Sequence, residues 1–264
     1  MTNVLIAGYG SIGKRHLENF LQLKDIQLTV YTKRNDLQLL KKKGIKVSSS
    51  LTECLKENQD VGVVTNETSL HIPIAIKLAE EGLDLFLEKP LSNSLKGVEK
   101  LRAIVKKKKL ITQMGCNLRF HPCIKKIKSL IEQEKIGKII SAQVQNCSYL
   151  PDFHRWEDYR KSYAARKDLG GGVILTQIHE IDYMYWFFQE VENVVSMSGK
   201  FSALDVTAED YMSSLLQFKN KIIGELHMDY FQRPSFRSCK IRGTKGEIYW
   251  NSDNNRVNIF NMNK

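Results

Sequence analysis

The sequence lacks paired cysteines. None of its five cysteines lies in a Cys-x-x-Cys pair. They are Cys54, Cys116, Cys123, Cys147 and Cys239. This spacing is typical of reduced, partly buried thiols, so we expect these rather than a metal or redox site.

Long hydrophobic runs are also missing. No apolar stretch approaches the roughly 20 residues that span a bilayer, and no charged-then-apolar leader opens the chain. The run Val4–Ala7 is too short for a leader and continues directly into a glycine turn. We therefore expect a cytoplasmic protein without a membrane partner.

Acidic residues are fewer than basic ones. The chain has 40 lysines and arginines but only 29 aspartates and glutamates, which gives a formal net charge of +11. The lysine clusters 41–43 and 106–109 fall late in predicted helices, where cations complement the helix dipole. No helix-turn-helix, zinc-finger or base-stacking pattern accompanies them. The charge therefore favours an anionic substrate over specific nucleic-acid binding.

Short apolar strands alternate with amphipathic helices over the first 115 residues. The predicted strands are Val4–Ala7, Gln27–Tyr31, Val61–Val64, Leu83–Leu87 and Leu110–Met114. The predicted helices are Ile12–Leu21, Leu37–Lys43, Ile72–Glu81 and Leu95–Lys107. This alternation predicts a first domain, residues 1–115, with the parallel, doubly wound sheet of a Rossmann fold.

The pattern changes after residue 116. A helix Ile124–Ile131, a strand Ile139–Asn146, a polar and aromatic loop Tyr149–Leu169 and an apolar helix Val173–Phe188 are predicted in turn. Six further strands follow, at Val194–Ser198, Tyr211–Phe218, Ile222–Asp229, Arg237–Arg242, Glu247–Asn251 and Val257–Phe260. Runs of strands predict a mostly antiparallel open sheet, so the second domain, residues 116–264, is α+β.

The first strand leads into a Gly-x-Gly-x-x-Gly motif, formed by Gly8, Gly10 and Gly13. Gly8 permits the turn, Gly10 lets the backbone approach a pyrophosphate, and Gly13 lets the helix pack on the strand. The N–H groups of the first helical turn, at Ser11 and Ile12, then face the phosphates. The motif predicts a dinucleotide site.

The end of the second predicted strand indicates which dinucleotide binds. Rossmann folds that prefer NAD usually place an acidic residue there, for the ribose 2′-hydroxyl. Here the strand ends with Thr32, Lys33 and Arg34, and the first acidic residue is Asp36. Because a hydroxyl and two cations suit a 2′-phosphate, we predict NADP, with NAD possible.

Three further motifs are candidates for catalysis. Glu88-Lys89-Pro90 follows the strand Leu83–Leu87, and ligands of doubly wound sheets bind beyond such strand ends. The second motif is the segment 115–122, at the domain boundary. Three glycines at 170–172 precede His179, which lies one helical turn before Asp182. Taken singly, Lys89 could equally be a surface lysine before a turn proline, and His179 could be a hydrogen-bonded histidine of the core.

Together these motifs resemble the Gfo/Idh/MocA oxidoreductases, NAD(P)-dependent sugar and cyclitol dehydrogenases, over essentially the whole chain. The segment 158–183 resembles members from bacterial surface-polysaccharide and nonulosonic-acid gene sets. The resemblance implies that Lys89 and His179 flank the carbon that exchanges hydride. His suits a general base, and Lys suits stabilisation of the developing alkoxide, although burial could exchange these roles. Glu88 is expected to orient the cleft or to pack against the cofactor rather than to act as a base, and both Glu88 and Lys89 are predicted to contact the cofactor.

The resemblance also assigns binding residues. It places the segment 65–71 over the cofactor, with Thr65 and Asn66 beside it and His71 near the nicotinamide. Independently of the resemblance, the loop from Tyr149 to Arg166 is expected to line the substrate pocket, because its aromatic rings could stack on a sugar and its cations could bind a phosphate or carboxylate. The predicted substrate residues are Asn117, Arg119, Trp156, Tyr159, Arg160, Tyr163 and Asp182. The aromatic and basic loop equally suits packing on itself or an oligomer contact, and Asp182 equally suits an internal hydrogen bond. Family members commonly pair through the second domain, which implies a homodimer or homotetramer.

The chain departs from the family at Thr176, where many members carry an aspartate three residues before the histidine. Either Glu180 or Asp182 supplies the missing charge, or His179 works without it. The expected function is hydride transfer between NAD(P) and a sugar, amino sugar or nucleotide sugar. The alternatives are a glycosidase that uses transient oxidation to drive elimination, and a non-catalytic NADP-binding sensor.

Overall fold

The structure, a computed structural model, describes residues 1–34 and 37–261. Its contacts divide the chain into two compact units, and the division falls between Gly115 and Cys116. Asp36 lies outside the described residues. Within the described ranges, every helix is too short or too polar to traverse a bilayer.

The first unit alternates strands and helices. Its strands are β1 Thr2–Ala7, β2 Ile26–Tyr31, β3 Lys46–Ser48, β4 Val61–Val64, β5 Asp84–Leu87 and β6 Thr112–Met114. Its helices are α1 Ser11–Phe20, α2 Gln38–Lys42, α3 Leu51–Leu55, α4 His71–Glu81 and α5 Val98–Lys108. The strands form a parallel sheet in the order β3-β2-β1-β4-β5-β6, which confirms the predicted doubly wound fold.

The apolar runs of this unit lie in the sheet, as a parallel sheet covered on both faces requires. Val4–Ala7 in β1 is at most 1% exposed. Helix α5 begins three residues later than predicted, because Gly97 precedes it with φ +83 in the left-handed region. Strand β3 and helix α3 were not predicted.

The second unit combines helices with a larger sheet. Its helices are α6 Pro122–Glu132, α7 Val173–Thr176 and α8 His179–Phe188. Its strands are β7 Ile139–Tyr149, β8 Val191–Gly199, β9 Tyr211–Phe218, β10 Ile223–Asp229, β11 Phe231–Gly243, β12 Gly246–Asn251 and β13 Val257–Asn261. Their order is β13-β12-β11-β7-β10-β9-β8, and only the β7–β10 pair among them is parallel. The predicted α+β class is confirmed.

The two faces of this sheet differ in burial. Buried residues such as Val144 and Leu226 belong to the core that includes residues of α6 and α8. Strand alternation places their neighbours on the other side. We call that side the open face; one cross-strand row on it is Val195, Leu215, Glu225 and Gln143.

The predicted single helix Val173–Phe188 is wrong, because the structure divides it into α7 and α8. The break falls at Gln177 and Ile178. Gln177 is 4% exposed, and its side-chain amide donates to the Ser148 hydroxyl at 3.2 Å. The Gln177 backbone, with φ −100 and ψ +29, is outside the helical region, so α7 ends there and α8 begins at His179.

Candidate active site

The loop after β1 has the geometry of a phosphate-binding turn. Gly8 has φ +114, and a Cβ there would lie 2.6 Å from the backbone nitrogen of Asn66. A Cβ on Gly13 would lie 2.3 Å from the Gly8 carbonyl oxygen, so the close approach of α1 requires glycine. At Gly10, by contrast, no described atom lies within 4 Å of a Cβ. The backbone at Gly10 is therefore open to a ligand.

The first turn of α1 leaves its N–H groups available at this opening. Gly10 is the N-cap, and no side chain of the described residues caps the helix there. Ser11 is exposed and Ile12 is half-buried. The first backbone donors of a helix lack intrahelical partners, so an anion can accept their hydrogen bonds.

Thr65 and His71 fix the loop that follows β4. The Thr65 hydroxyl donates to the Gly8 carbonyl oxygen at 2.9 Å. The His71 ring, which is 1% exposed, lies 2.9 Å from the Asn66 carbonyl oxygen and 2.7 Å from that of Pro90. Burial lowers the pKa of His71, and the two carbonyl acceptors offset this only in part. His71 thus joins the loops after β4 and β5.

Glu88 organises the end of β5. One carboxylate oxygen lies 2.8 Å from His16 Nε2, and the other accepts the Lys89 backbone N–H at 3.1 Å. A Cβ on Gly115 would lie 2.9 Å from the second oxygen, so this glycine makes room for the carboxylate. Glu88 therefore holds the backbone of Lys89, whose side chain is half-buried.

The loop after β2 presents basic side chains. Thr32 is 5% exposed, and its hydroxyl accepts the Arg34 backbone N–H at 3.2 Å. Lys33 and Arg34 are exposed. Burial and the charge of Glu18 raise the pKa of Tyr9, while the charge of Arg34 opposes the shift. The charge of Arg34 therefore acts on the glycine loop that contains Tyr9.

These features fit a dinucleotide at the carboxyl ends of β1 and β4. The strand order reverses between these two strands, which is where doubly wound sheets bind nucleotides. The side-chain oxygen of Asn66, which follows β4, is buried and accepts no hydrogen bond from any described group. A hydroxyl or amide of a ligand would supply the missing donor.

In the second unit, buried polar groups fix the start of α8, where half-buried His179 lies. Glu180 is 0% exposed and accepts hydrogen bonds from Arg237 Nε at 2.6 Å and from the Asn146 amide at 3.1 Å. Arg237 and Asn146 are register partners on β11 and β7. We call Glu180, Arg237 and Asn146 the Glu180 clamp. Burial lowers the pKa of Arg237, but the Glu180 charge and hydrogen bond outweigh it, so the net shift is upward.

Asp182, one turn along α8, is fixed by a second arginine. Arg119 donates to its two oxygens at 2.9 and 2.7 Å. The hydrogen bond to Asp182 raises the pKa of Arg119 despite burial. The guanidinium also lies 5.7 Å from the Trp186 ring centroid. Asn117 begins the short helical turn that carries Arg119.

Thr176 lies at the end of α7 and is 8% exposed. It hydrogen-bonds with Tyr230, whose hydroxyl donates to the Gly172 carbonyl oxygen at 2.9 Å. Both carboxylates considered as substitutes for the missing aspartate are bound elsewhere. Glu180 binds Arg237 and Asn146, and Asp182 binds Arg119.

The aromatic loop 149–169 packs partly on the second unit's own core. Tyr159 and Tyr163 lie half-buried against that core. The Tyr159 hydroxyl accepts the Asp205 backbone N–H at 3.1 Å. These two tyrosines therefore anchor the loop to the second unit.

Other side chains of this loop face solvent. Arg160 is held by Asp158 through two hydrogen bonds of 2.8 and 2.9 Å. Trp156 is 77% exposed, and its ring lies 5.1 Å from that of His154. An exposed indole and a paired guanidinium leave surfaces to which a polar ligand can bind.

Family models match both units of the chain. Residues 2–116 match the model described as "Oxidoreductase family, NAD-binding Rossmann fold", and residues 124–249 match "GFO/IDH/MocA C-terminal domain". The chain belongs to the Gfo/Idh/MocA family. This confirms the resemblance, and the chain is an NAD(P)-dependent oxidoreductase of the dehydrogenase type.

Two relatives of this Gfo/Idh/MocA protein are named dehydrogenases. Levoglucosan dehydrogenase of Pseudarthrobacter phenanthrenivorans is 28% identical, and the match covers 79% of this chain and 60% of that protein. Myo-inositol 2-dehydrogenase of Thermotoga maritima is 28% identical, over 92% of this chain and 73% of that protein. The solved WlbA dehydrogenase of Bordetella pertussis, in complex with NADH and UDP-GlcNAcA, has a TM-score of 0.88 at 21% identity. The structural match covers 99% of this chain and 82% of the WlbA chain, and it shows that the two proteins share a fold.

The sequence did not reveal several residues that support this Gfo/Idh/MocA site. His16 binds Glu88, and its position three residues after Gly13 was the available signal. Asn146 and Arg237 bind Glu180 across 34 and 57 residues of chain, and no local pattern marks either contact.

Proposed function

We propose that the chain transfers hydride between a nicotinamide dinucleotide and a sugar, amino sugar or nucleotide sugar. The glycine loop at the β1–β4 reversal carries the proposal, because its open backbone at Gly10 is built for pyrophosphate. The relatives named for levoglucosan and myo-inositol support a polyhydroxylated substrate. Association with surface-polysaccharide or nonulosonic-acid chemistry stays a prediction.

The proposed chemistry assigns complementary roles to Lys89 and His179. In the oxidising direction His179 accepts the hydroxyl proton, and Lys89 stabilises the negative charge that develops on the oxygen. A nicotinamide dinucleotide held at the glycine loop would supply the hydride acceptor for this reaction. In the reducing direction His179 returns the proton to the alkoxide. Glu88 holds the Lys89 backbone, and the Glu180 clamp holds the helical turn of His179.

Substitution of Gly10 tests the cofactor site. In Gly10→Ala the new methyl group contacts no described atom, so stability should change by less than about 0.5 kcal/mol. Dinucleotide affinity should fall by about 10-fold or more, because the methyl group occupies the space the pyrophosphate needs. Calorimetric titration with NADH and NADPH measures this. Unchanged affinity for both would contradict the proposed site, and exposed Gly44→Ala, although strained by its φ of +72, reports non-specific effects.

We propose NADP as the preferred cofactor, on the basic side chains Lys33 and Arg34. Arg34→Ala should weaken NADPH binding by about 1.5–3 kcal/mol, the usual contribution of a hydrogen bond to a charged group. NADH binding should change little, because NADH has no 2′-phosphate. The matched control is Arg102→Ala, whose side chain is 77% exposed on α5. Equal affinity of the unaltered protein for NADH and NADPH would rule out the 2′-phosphate argument.

We propose that a second copy of the chain covers the open face. Val195 and Met197 are each 71% exposed there, and Leu215 is 51% exposed. Light scattering at micromolar concentration should give the mass of a dimer or tetramer, and Leu215→Arg should shift it toward the monomer. A monomeric mass for the unaltered chain refutes this assembly.

A further inference from the structure

Three side chains with different metal-binding atoms meet on the open face. His227 and Asp229 lie two residues apart on β10, so they project to the same side of the sheet. Cys147 lies on the neighbouring strand β7 and is the register partner of Asp229. Sequence separation between β7 and β10 hid this cluster, since Cys147 and His227 are 80 residues apart.

The three ligand atoms are close enough to share one ion. The Cys147 sulfur, a His227 ring nitrogen and an Asp229 carboxylate oxygen all lie within 4.8 Å of one another. His227 Nε2 lies 3.2 Å from Asp229 Oδ2, and the Cys147 thiol hydrogen-bonds to the Asp229 carboxylate. Ligand atoms around tetrahedral zinc lie about 3.3–3.7 Å apart, given bond lengths of about 2.0–2.3 Å.

Surrounding groups orient two of these ligands. Asp229 Oδ1 accepts the backbone N–H groups of Phe231 at 3.1 Å and Gln232 at 2.9 Å, which turns Oδ2 toward His227. The His227 ring packs edge-on against Tyr211, with centroids 5.1 Å apart. Such outer contacts fix the ligands of metal sites and raise metal affinity.

In the single chain, an ion would reach these three ligands from the side of His227. Cys147 and Asp229 are each 2% exposed, whereas the His227 side chain is 28% exposed. We propose that Cys147, His227 and Asp229 bind a single Zn²⁺ ion, with water as the fourth ligand. A thiolate and an imidazole select a borderline transition metal, because Mg²⁺ and Ca²⁺ prefer oxygen ligands. Binding displaces the thiol proton and leaves the oxidation state of sulfur and metal unchanged.

Cobalt spectroscopy on the full-length protein tests this site. Co²⁺ added to metal-free protein should give a thiolate-to-cobalt absorption band that saturates at one equivalent, and Zn²⁺ should abolish the band. Cys147→Ser should remove it, and His227→Gln should lower Co²⁺ affinity by more than about 100-fold, beyond the loss expected for an outer contact. Cys239→Ser is the matched control, because Cys239 is 1% exposed on β11 of the same sheet and belongs to the core on the other face.

The proposal is overturned if the unaltered protein gives no thiolate band. It is equally overturned if the band survives in Cys147→Ser, or if the partly exposed His227→Gln variant, folded by circular dichroism, binds Co²⁺ with unchanged affinity. The readout is metal binding, so these outcomes are independent of dehydrogenase activity.

Discussion

Replacing Lys89 with Met or His179 with Asn should each lower turnover by about 10²–10⁴-fold, the usual contribution of a proton-transfer or electrostatic group. NADPH affinity should stay nearly intact, because neither change touches the glycine loop. Single-turnover hydride transfer, followed by nicotinamide absorbance with an active sugar substrate, measures the loss. Lys77→Met is the matched control, since Lys77 is an exposed residue of α4 in the same unit as Lys89.

The double variant separates a joint role from two independent ones. If both groups act on one substrate carbon, the losses should not add, because residues that act as a unit are interdependent. If both single variants keep more than about a third of the unaltered rate with cofactor bound, the assigned residues are wrong. The chain would then be better explained as a sensor built on a dehydrogenase fold.

The first unit was largely predictable because its signals are local. Strand β4 was predicted with its observed bounds, and β1 and β2 within two residues, since buried apolar runs alternate with amphipathic helices. Strand β3 and helix α3 were missed because they span three and five residues, too short to show a period. The positive φ of Gly8 and Gly82 follows the turn and helix-cap chemistry of glycine.

The second unit shows where local signals fail. The helical pattern of Val173–Phe188, which is apolar on most sides, gives no sign of the break that makes His179 the first residue of a helix. At the break Gln177 contacts Ser148 across 29 residues of chain, and no local pattern marks this tertiary contact. The start of β11 was also missed: the strand begins at Phe231, and its pairing with β7 shifts register before Phe236. The turn at Lys219 and Asn220, by contrast, is a short polar turn between strands, which is a local feature.

The Glu180 clamp should be the most sensitive electrostatic contact of the second unit. Glu180→Gln leaves the Arg237 guanidinium, whose side chain is only 25% exposed, without its carboxylate. Breaking a buried ion pair on one side costs about 3–5 kcal/mol. All three tryptophans, Trp156, Trp186 and Trp250, lie in this unit, so tryptophan fluorescence during urea unfolding follows it separately from the first.

An exposed pair of the same chemistry supplies the control. Glu190 pairs with Lys219, and their side chains are 59% and 65% exposed, so Glu190→Gln should leave the urea midpoint nearly unchanged. Removing both charges in Glu180→Leu/Arg237→Met should destabilise less than Glu180→Gln alone, because no unpaired buried charge remains. Equal urea midpoints for the two Glu→Gln variants would show that the clamp does not stabilise the helical turn that carries His179. A large loss of stability confined to Glu180→Gln would instead show that the clamp, which joins β7, β11 and α8, stabilises the helical turn that carries His179.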